Sequence, residues 1–208
     1  MPNLAEYCRS LSVLMLISRR RSNSGWFDFL PLGATGNHVG PSPNPITGRC
    51  LPMDLRAKVA MFGHMGVEAD PAAMSASDRA LLAAQIALYK EWRDVIHRGS
   101  LTRIAKTLPG AFGYLALSGA CGLALVAQTK FADDYSSPSV RMHGLDPAAS
   151  YRLRLLLAGT PPSDGRVAQP ELWHSGTVKT GPELLKAGIL LPASGPETAW
   201  LISLERVA

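Results

Sequence analysis

The hydrophobic pattern of this chain changes its period close to residue 100. Before that point, apolar residues recur at helical spacing over the long stretch 77–98. After it, apolar residues alternate with polar ones in short runs separated by Gly, Pro, Asp and Ser. One regular element cannot satisfy both periods. The sequence therefore predicts a helix-containing segment followed by a region built from strands.

The stretch 77–98 carries the strongest helical signal. Ser75 and Ser77 offer N-caps, Asp78 would lie in the first turn, and Gly99 follows the last turn. A broad apolar stripe runs along the predicted helix: Leu81, Leu82, Ile86, Leu88, Tyr89, Trp92, Val95 and Ile96. A stripe of this width needs a surface to cover it.

The region 100–208 contains six or seven short runs with a period near two. In 151–155, for example, Tyr, Leu and Leu alternate with two arginines. Short alternating strands with turn residues between them are typical of an antiparallel β-sandwich. We expect "GPELLKAG", at 181–188, to be one helical turn or a crossover inside that sandwich.

The segment before the long helix has a βαβα order. We predict a buried strand at Trp26–Leu32, a Gly/Pro loop at 36–49, a helix at 54–62 and a strand at His64–Ala69. Strands joined through helices run parallel, and two parallel strands alone do not make a stable sheet. This segment therefore has the organisation expected at the end of a larger α/β domain.

Composition excludes several classes of function. The net charge is +5 and the sequence pI is about 9.3, but the basic residues are scattered, with one run at 19–21. A nucleic-acid binder gathers its basic residues on one face, so we expect no nucleic-acid partner. The apolar run at 11–17 is too short to span a bilayer, and the arginines follow it, which is the reverse of a signal peptide.

Cysteine and histidine spacing gives no metal or cofactor site. Cys8, Cys50 and Cys121 lie far apart without a zinc-type spacing, so a reducing cytoplasm is the simplest location. His64 and Glu68 would share a helical face, but glycines at 63 and 66 disfavour a helix there. No phosphate-binding loop or nucleophile set stands out, and we expect no cofactor and no metal.

Four separate stretches carry a resemblance to a known family. They read "GNHVGPSPNPITGR", "LRAKVAMFGHMGVEADP", "LYKEWRDVIHRGSLTRI" and "HGLDPAASYRLRL". In order and spacing they resemble the C-terminal portion of α-galactosidases of glycoside hydrolase family 36. The resemblance implies a fold of α/β plus all-β type: a partial (β/α)8 barrel with its last two β/α units, followed by an antiparallel β-sandwich. The implied divisions are a divergent segment at 1–24, the barrel remnant at 25–99 and the sandwich domain at 100–208.

The same resemblance implies a retaining glycosidase that releases terminal α-galactose from oligosaccharides such as melibiose and raffinose. That chemistry needs two carboxylates about 5–5.5 Å apart, a nucleophile and an acid/base. In the family both are aspartates, in a "KWDxN"-like and an "SDxxDA"-like motif. Neither motif occurs in this sequence, and Ser10–Ile17, where the second should fall, has no carboxylate. We therefore expect no catalytic residues here, and a truncated or frame-disrupted product that is inactive alone.

Four residues are candidates for binding substrate at the barrel mouth. Asn37 and His38 would follow barrel strand seven, either facing the sugar or orienting the Gly/Pro loop. Glu68 and Asp70 would end barrel strand eight, where inward side chains point toward the active site. The simpler alternative for these acids is a buried carboxylate bonded to backbone or to Arg56.

Two function classes follow from these observations. The first is a fragment of an α-galactosidase, whose partner in an intact relative is an α-galactoside oligosaccharide. An incomplete barrel leaves strand edges unpaired, which predicts self-association or complementation by a missing barrel half. The second class is a non-catalytic β-sandwich module for assembly or carbohydrate binding.

Overall fold

The fold is described here from a computed structural model. It describes residues 32–104, 111–128, 139–157, 172, 175–192 and 197–207. The chain divides into two compact units, with the boundary between Arg98 and Gly99. The predicted segment at 1–24 and residues 26–31 of the first predicted strand lie outside the described residues.

The first unit contains a parallel strand pair joined through a helix. Its strands and helices are β1 (Gly36–Val39), α1 (Met53–Ala60), β2 (His64–Val67) and α2 (Ala76–Arg98), with 3-10 turns at Leu32–Ala34 and Pro71–Ala73. Strands β1 and β2 pair in parallel, with Gly36 opposite His64 and Val39 opposite Val67. This is the βαβα order that the sequence predicts.

Strand β1 corrects the predicted Gly/Pro loop at 36–49. The prediction was wrong for Gly36–Val39, which pair with β2 along their whole length. The prolines that rule out a strand begin only at Pro41, so residues before it keep the backbone donors that pairing needs. Leu32, the last residue of the predicted buried strand, instead begins a 3-10 turn.

Helix α1 begins and ends close to its predicted bounds, but its cap differs. The sequence allows Asp54 to cap this helix, but the N-cap is Pro52, which makes no side-chain hydrogen bond. Asp54 lies inside the first turn and accepts from Lys58 Nζ (2.7 Å) and from Gln85 Nε2 (3.0 Å) of α2. The carboxylate therefore ties the two helices together.

Helix α2 confirms the strongest sequence signal. Ser75 Oγ accepts from the backbone N–H of Asp78 at 3.0 Å, as expected for an N-cap. Only Leu82, Gln85 and Ile96 are fully buried on this helix. The other members of the predicted apolar stripe are half-buried in the described structure: Leu81, Ile86, Leu88, Tyr89, Trp92 and Val95.

The second unit is built from antiparallel strands. They are β3 (Ser100–Arg103), β4 (Ala111–Ser118), β5 (Cys121–Gln128), β6 (Ser139–Val140), β7 (Ser150–Leu156), β8 (Thr177–Thr180), β9 (Ile189–Leu190) and β10 (Thr198–Val207). A six-stranded sheet has the order β3-β4-β5-β10-β7-β8, and β6 pairs with β9. The short helix α3 (Gly181–Lys186) begins with a capping box between Thr180 and Glu183. The prediction of antiparallel strands with one helical turn is confirmed.

One face of the large sheet packs on a continuous apolar core. Leu153 on β7 and Ile202 and Leu204 on β10 are buried in it, with Met142, Leu184 and Leu191 from the segments around α3. The predicted alternation in 151–155 is confirmed, because Tyr151, Leu153 and Leu155 are buried while the intervening arginines are exposed. Within the described residues, no helix combines the length and apolar character needed to cross a membrane.

Candidate functional site

The carboxyl ends of β1 and β2 lie at the same edge of the parallel pair. The carbonyl of Val39, the last residue of β1, accepts from the backbone N–H groups of Glu68 (3.1 Å) and Ala69 (3.2 Å). These bonds fix the chain just beyond the end of β2. Glu68 is therefore held beside the side chain of His38, which precedes Val39 on β1.

His38 lies over a glycine of the neighbouring strand. It is paired in register with Gly66, and a Cβ built at residue 66 would fall 2.2 Å from Cδ2 of the His38 ring. No side chain fits at that distance, so glycine at 66 is what allows the imidazole to occupy this position. The sequence showed this glycine only as a helix breaker.

His38 and Glu68 form the one pair of candidate residues that approach each other. The imidazole Nδ1 lies 3.4 Å from Glu68 Oε1, and the side chains are 24% and 46% exposed. The separation is within the range of an ion pair, but His38 Nδ1 has no hydrogen-bond partner in the described structure. Because His38 Nδ1 is buried and Glu68 is exposed, the carboxylate is the group of this pair that is open to a polar ligand.

Asn37 is placed differently from its neighbour. Its side chain is buried, and Nδ2 donates to the carbonyl of Phe62, in the turn that precedes β2. Gly63 adopts φ +151°, and a Cβ there would lie 2.8 Å from Asn37 Nδ2. The asparagine thus fixes the turn before β2, and Gly63 makes room for it.

Asp70 also acts on the backbone. Its Oδ1 accepts from the N–H of Ala72 at 2.9 Å and caps the 3-10 turn Pro71–Ala73. Asp70 and Glu68 are both exposed, so the alternative of a buried carboxylate was wrong for both. The chain leaves the sheet immediately after β2, and no core forms around the two acids.

Arg56, the proposed partner of those acids, holds the loop after β1. It is buried, Nε donates to the carbonyl of Leu51 at 3.0 Å, and an Nη donates to the carbonyl of Gly40. Burial lowers the pKa of the guanidinium from its usual value, and the charge of Asp78 opposes that shift. The two bonds join the beginning and end of the loop, which sequence reasoning did not anticipate.

The loop between those points is also organised from within. Asn44 is buried, and its Oδ1 accepts from the N–H groups of Ile46 (3.0 Å) and Thr47 (2.9 Å). Ser42 Oγ accepts from the N–H of Leu51 at 3.2 Å. A Gly/Pro-rich sequence would otherwise be free to adopt many conformations. These bonds give the loop beside the candidate site one shape.

His64 and Glu68, considered above as a possible metal pair, do not share a helical face. His64 begins β2 and Glu68 follows its end, which separates them by about 13 Å at roughly 3.3 Å per residue. His64 Nε2 is bonded instead to the carbonyl of Gly33 at 2.8 Å. Among the described residues, no group of three or more His, Cys, Asp or Glu is arranged to hold a metal ion.

Comparison with known proteins identifies the source of these features. The Melibiase family model matches residues 17–99. The α-galactosidase of Escherichia coli is 33% identical over 189 residues, which cover 86% of this chain and 26% of that protein. The α-galactosidase AgaA of Geobacillus stearothermophilus is 27% identical over 179 residues, covering 85% of this chain and 22% of AgaA. The chain thus spans about a quarter of the length of these relatives.

Solved structures agree with the sequence matches. The galactosidase domain of the α-galactosidase/sucrose kinase AgaSK, known from Mediterraneibacter gnavus, superimposes with a TM-score of 0.75 at 26% identity, over 88% of this chain and 24% of that one. A family 36 α-galactosidase from Geobacillus stearothermophilus, solved in complex with raffinose, gives a TM-score of 0.70 over 85% of this chain and 22% of that one. At 24% identity this second match shows the fold alone. The resemblance noted in the sequence is confirmed.

Proposed function

Because this chain corresponds in sequence and fold to part of an α-galactosidase of glycoside hydrolase family 36, we propose that it forms one wall of a galactoside-binding site. In this proposal residues 25–99 are the last two β/α units of a (β/α)8 barrel, and residues 100–208 are the β-sandwich that follows. The substrate is a terminal α-galactoside, of the kind bound by the family 36 structure with raffinose.

The observation that carries this proposal is the His38–Glu68 pair at the carboxyl ends of two parallel strands. In (β/α)8 barrels the active site lies at that end of the strands, and its specificity comes from side chains and loops there. An exposed carboxylate beside an imidazole can accept hydrogen bonds from sugar hydroxyls. The loop held by Arg56 extends the same wall.

The roles of the four candidates separate under this proposal. His38 and Glu68 contact the sugar, since the Glu68 carboxylate is exposed and the partly exposed ring of His38 lies beside it. Asn37 and Asp70 position the strand ends, because each bonds to a backbone group of its own surroundings. The first pair determines affinity for galactose, and the second pair determines whether the first is in place.

The chemistry itself needs groups from outside this sequence. Retaining hydrolysis requires two carboxylates about 5–5.5 Å apart, and the pair here contains one carboxylate with one imidazole. The two aspartate motifs of the family are absent from the 208 residues. We therefore expect the chain to bind at one side of a sugar while another polypeptide segment supplies nucleophile and acid/base.

A partner that completes the barrel would also cover exposed apolar surface. Six residues of the apolar stripe on α2 are half-buried, and Val67 at the end of β2 is 40% exposed. Such surface favours association, either with a second copy or with a segment that supplies the missing barrel half. The exposed thiols of Cys50 and Cys121 fit a reducing cytoplasm, which we propose as the location.

The proposal is tested by a chimera. The segment of the Escherichia coli α-galactosidase that matches this chain is replaced by residues 17–207, and hydrolysis of p-nitrophenyl-α-galactoside is measured. We expect the chimera to hydrolyse the substrate and its Glu68→Gln variant to have a higher KM. The matched control is Glu91→Gln, which should leave KM unchanged because Glu91 is exposed on α2. A chimera that folds by circular dichroism, yet keeps its KM when Glu68 is changed, would contradict the assignment.

A further inference from the structure

Three rings meet at the opposite end of β2 from the candidate site. His64, the first residue of β2, stacks on His97 in the last turn of α2, with ring centroids 4.4 Å apart and planes inclined by 19°. Tyr89, two turns earlier on α2, contacts the His97 ring edge-on at 6.0 Å. We call His64, His97 and Tyr89 the ring cluster. It joins the end of the long helix to the beginning of the strand.

The hydrogen bonds of the cluster fix where its protons lie. His64 Nε2 is 2.8 Å from the carbonyl of Gly33, and a carbonyl only accepts, so this nitrogen carries a hydrogen. His97 Nε2 is 2.8 Å from the hydroxyl of Tyr89, while His97 Nδ1 is buried and has no partner among the residues that the structure describes. If Nε2 donates to Tyr89, Nδ1 carries no hydrogen and no buried N–H is left unpaired. The neutral ring with its hydrogen on Nε2 is therefore the form that fits.

Protonation of His97 would disturb this arrangement in two ways. It places a hydrogen on Nδ1, where none of the described residues puts an acceptor within reach, and leaving a buried donor unpaired is costly. It also places a positive charge against the stacked ring of His64, an interaction that disfavours the protonated form of His97. Protonation of His97 therefore weakens the contact between the last turn of α2 and β2.

The charged groups around His97 modify this cost without removing it. Asp94 on α2 favours the protonated ring, as do the carbonyls of the helix end, whereas Arg93 and His64 disfavour it. The pKa of His97 lies below its usual value of 6.5, chiefly because the ring is buried and secondly because His64 faces it. From the 3-10 turn at Leu32–Ala34, the uncharged carbonyl of Gly33 is bonded to His64 Nε2.

We propose that the ring cluster makes the attachment of the last turn of α2 to β2 dependent on pH, closed when His97 is neutral and loosened when it is protonated. A histidine that binds its proton less readily in the folded state than in the unfolded state stabilises the fold fully above its unfolded pKa. That contribution is lost as the pH falls below about 6.5, through the lower pKa of the folded state. Acid therefore weakens this junction.

The first test follows the titration of His97 in the intact chain by ¹⁵N NMR of the imidazole rings between pH 7.5 and 5.0. We expect a midpoint below that of the same residue in the urea-unfolded chain, with the hydrogen on Nε2 at neutral pH. In the same series, the protection factors of the amides, which correct for the slower intrinsic exchange at low pH, should fall more in residues 95–98 than in 82–86 of the same helix. A midpoint equal to or above that of the unfolded chain would overturn the proposal.

The second test measures urea unfolding of the chain against pH. For one linked proton, the logarithm of the unfolding constant changes by up to about one per pH unit. His97→Gln should reduce the slope found between pH 6.5 and 5.0, whereas Tyr89→Phe, which keeps both histidines, should retain it. An unaltered slope in His97→Gln would contradict the proposal. If that variant does not fold, the NMR titration of His97 in the unsubstituted chain tests the proposal by itself.

Discussion

The two units of this chain keep different kinds of side chains in their interiors. Among the described residues, the first unit buries five polar or charged side chains, and the second buries one: Asn37, Asn44, Arg56, Lys58 and Gln85, against Gln128. The second unit instead packs a continuous apolar core against one face of its large sheet. Among the described residues, the first unit thus combines buried apolar side chains with hydrogen-bonded polar ones, whereas the interior of the second is almost entirely apolar.

This difference has a physical consequence for how each unit responds to change. A buried polar group stabilises only when its partner is in place, so the first unit is sensitive to small shifts of backbone and ring position. A close-packed apolar core is sensitive to lost volume. The polar interior of the first unit also supports the candidate site, since Asn37 and Arg56 hold the strand and loop that flank His38.

The largest effect should come from removing core volume in the second unit. Leu153 on β7 is fully buried, and Leu153→Ala should reduce the free energy of unfolding by about 2–5 kcal/mol. Arg152→Ala, on the exposed face of the same strand, should change it by less than about 0.5 kcal/mol. Urea unfolding measures both. Equal effects at the two positions would show that this sheet face does not carry the core.

A smaller effect should follow from adding one methyl group in the first unit. Gly66→Ala places a Cβ against the His38 ring and should cost about 1–3 kcal/mol. Gly36→Ala is the matched control, because its nearest neighbour, Cε1 of His38, would be 3.7 Å away.

The cause is isolated by a double mutant. If the clash with the ring is responsible, His38→Ala combined with Gly66→Ala should cost less than the sum of the two single changes. Strict additivity, measured by urea unfolding, would mean that the glycine serves another purpose than accommodating His38.

The smallest effect concerns a surface cap of the second unit. Hydrogen bonds from the backbone N–H and the hydroxyl of Thr180 lower the pKa of Glu183 below its usual value of 4.5. The stabilisation from these hydrogen bonds is fully present above about pH 4.5. It is lost as the pH falls through the lower pKa that Glu183 has in the folded state.

A ¹³C NMR titration of the Glu183 carboxyl tests the cap. Thr180→Val removes the hydroxyl and keeps the backbone donor, so the pKa should rise part of the way toward its usual value. A pKa that does not move would show that the hydroxyl takes no part in the cap.

Sequence reasoning succeeded where a period repeats over many residues. Helix α2 and the alternation in β7 were predicted because each position repeats the evidence of its neighbours. It failed at β1, a strand of four residues containing a glycine and followed by prolines. That strand forms because β2 pairs with it, a cause that lies 28 residues further along the chain.

The sequence allowed the residues of the candidate site to be named, but it did not show how they are placed relative to one another. His38 could be named because it follows a predicted strand and Glu68 because it lies near the end of another, but their approach depends on the parallel register. The roles of Gly63 and Gly66 depend on the space around each Cβ, which no local pattern records. Arg56 was considered as a partner of the acids, and its bonds to Gly40 and Leu51 became visible only with the loop in place.

The central proposal is that this chain forms one wall of a galactoside-binding site, while another polypeptide segment carries the two catalytic carboxylates. The most direct measurement is hydrolysis of p-nitrophenyl-α-galactoside by the purified 208-residue chain alone. We predict no release of p-nitrophenol above that of buffer. Sustained turnover that is abolished by Glu68→Gln would contradict the account, because it would place a working carboxylate within this chain.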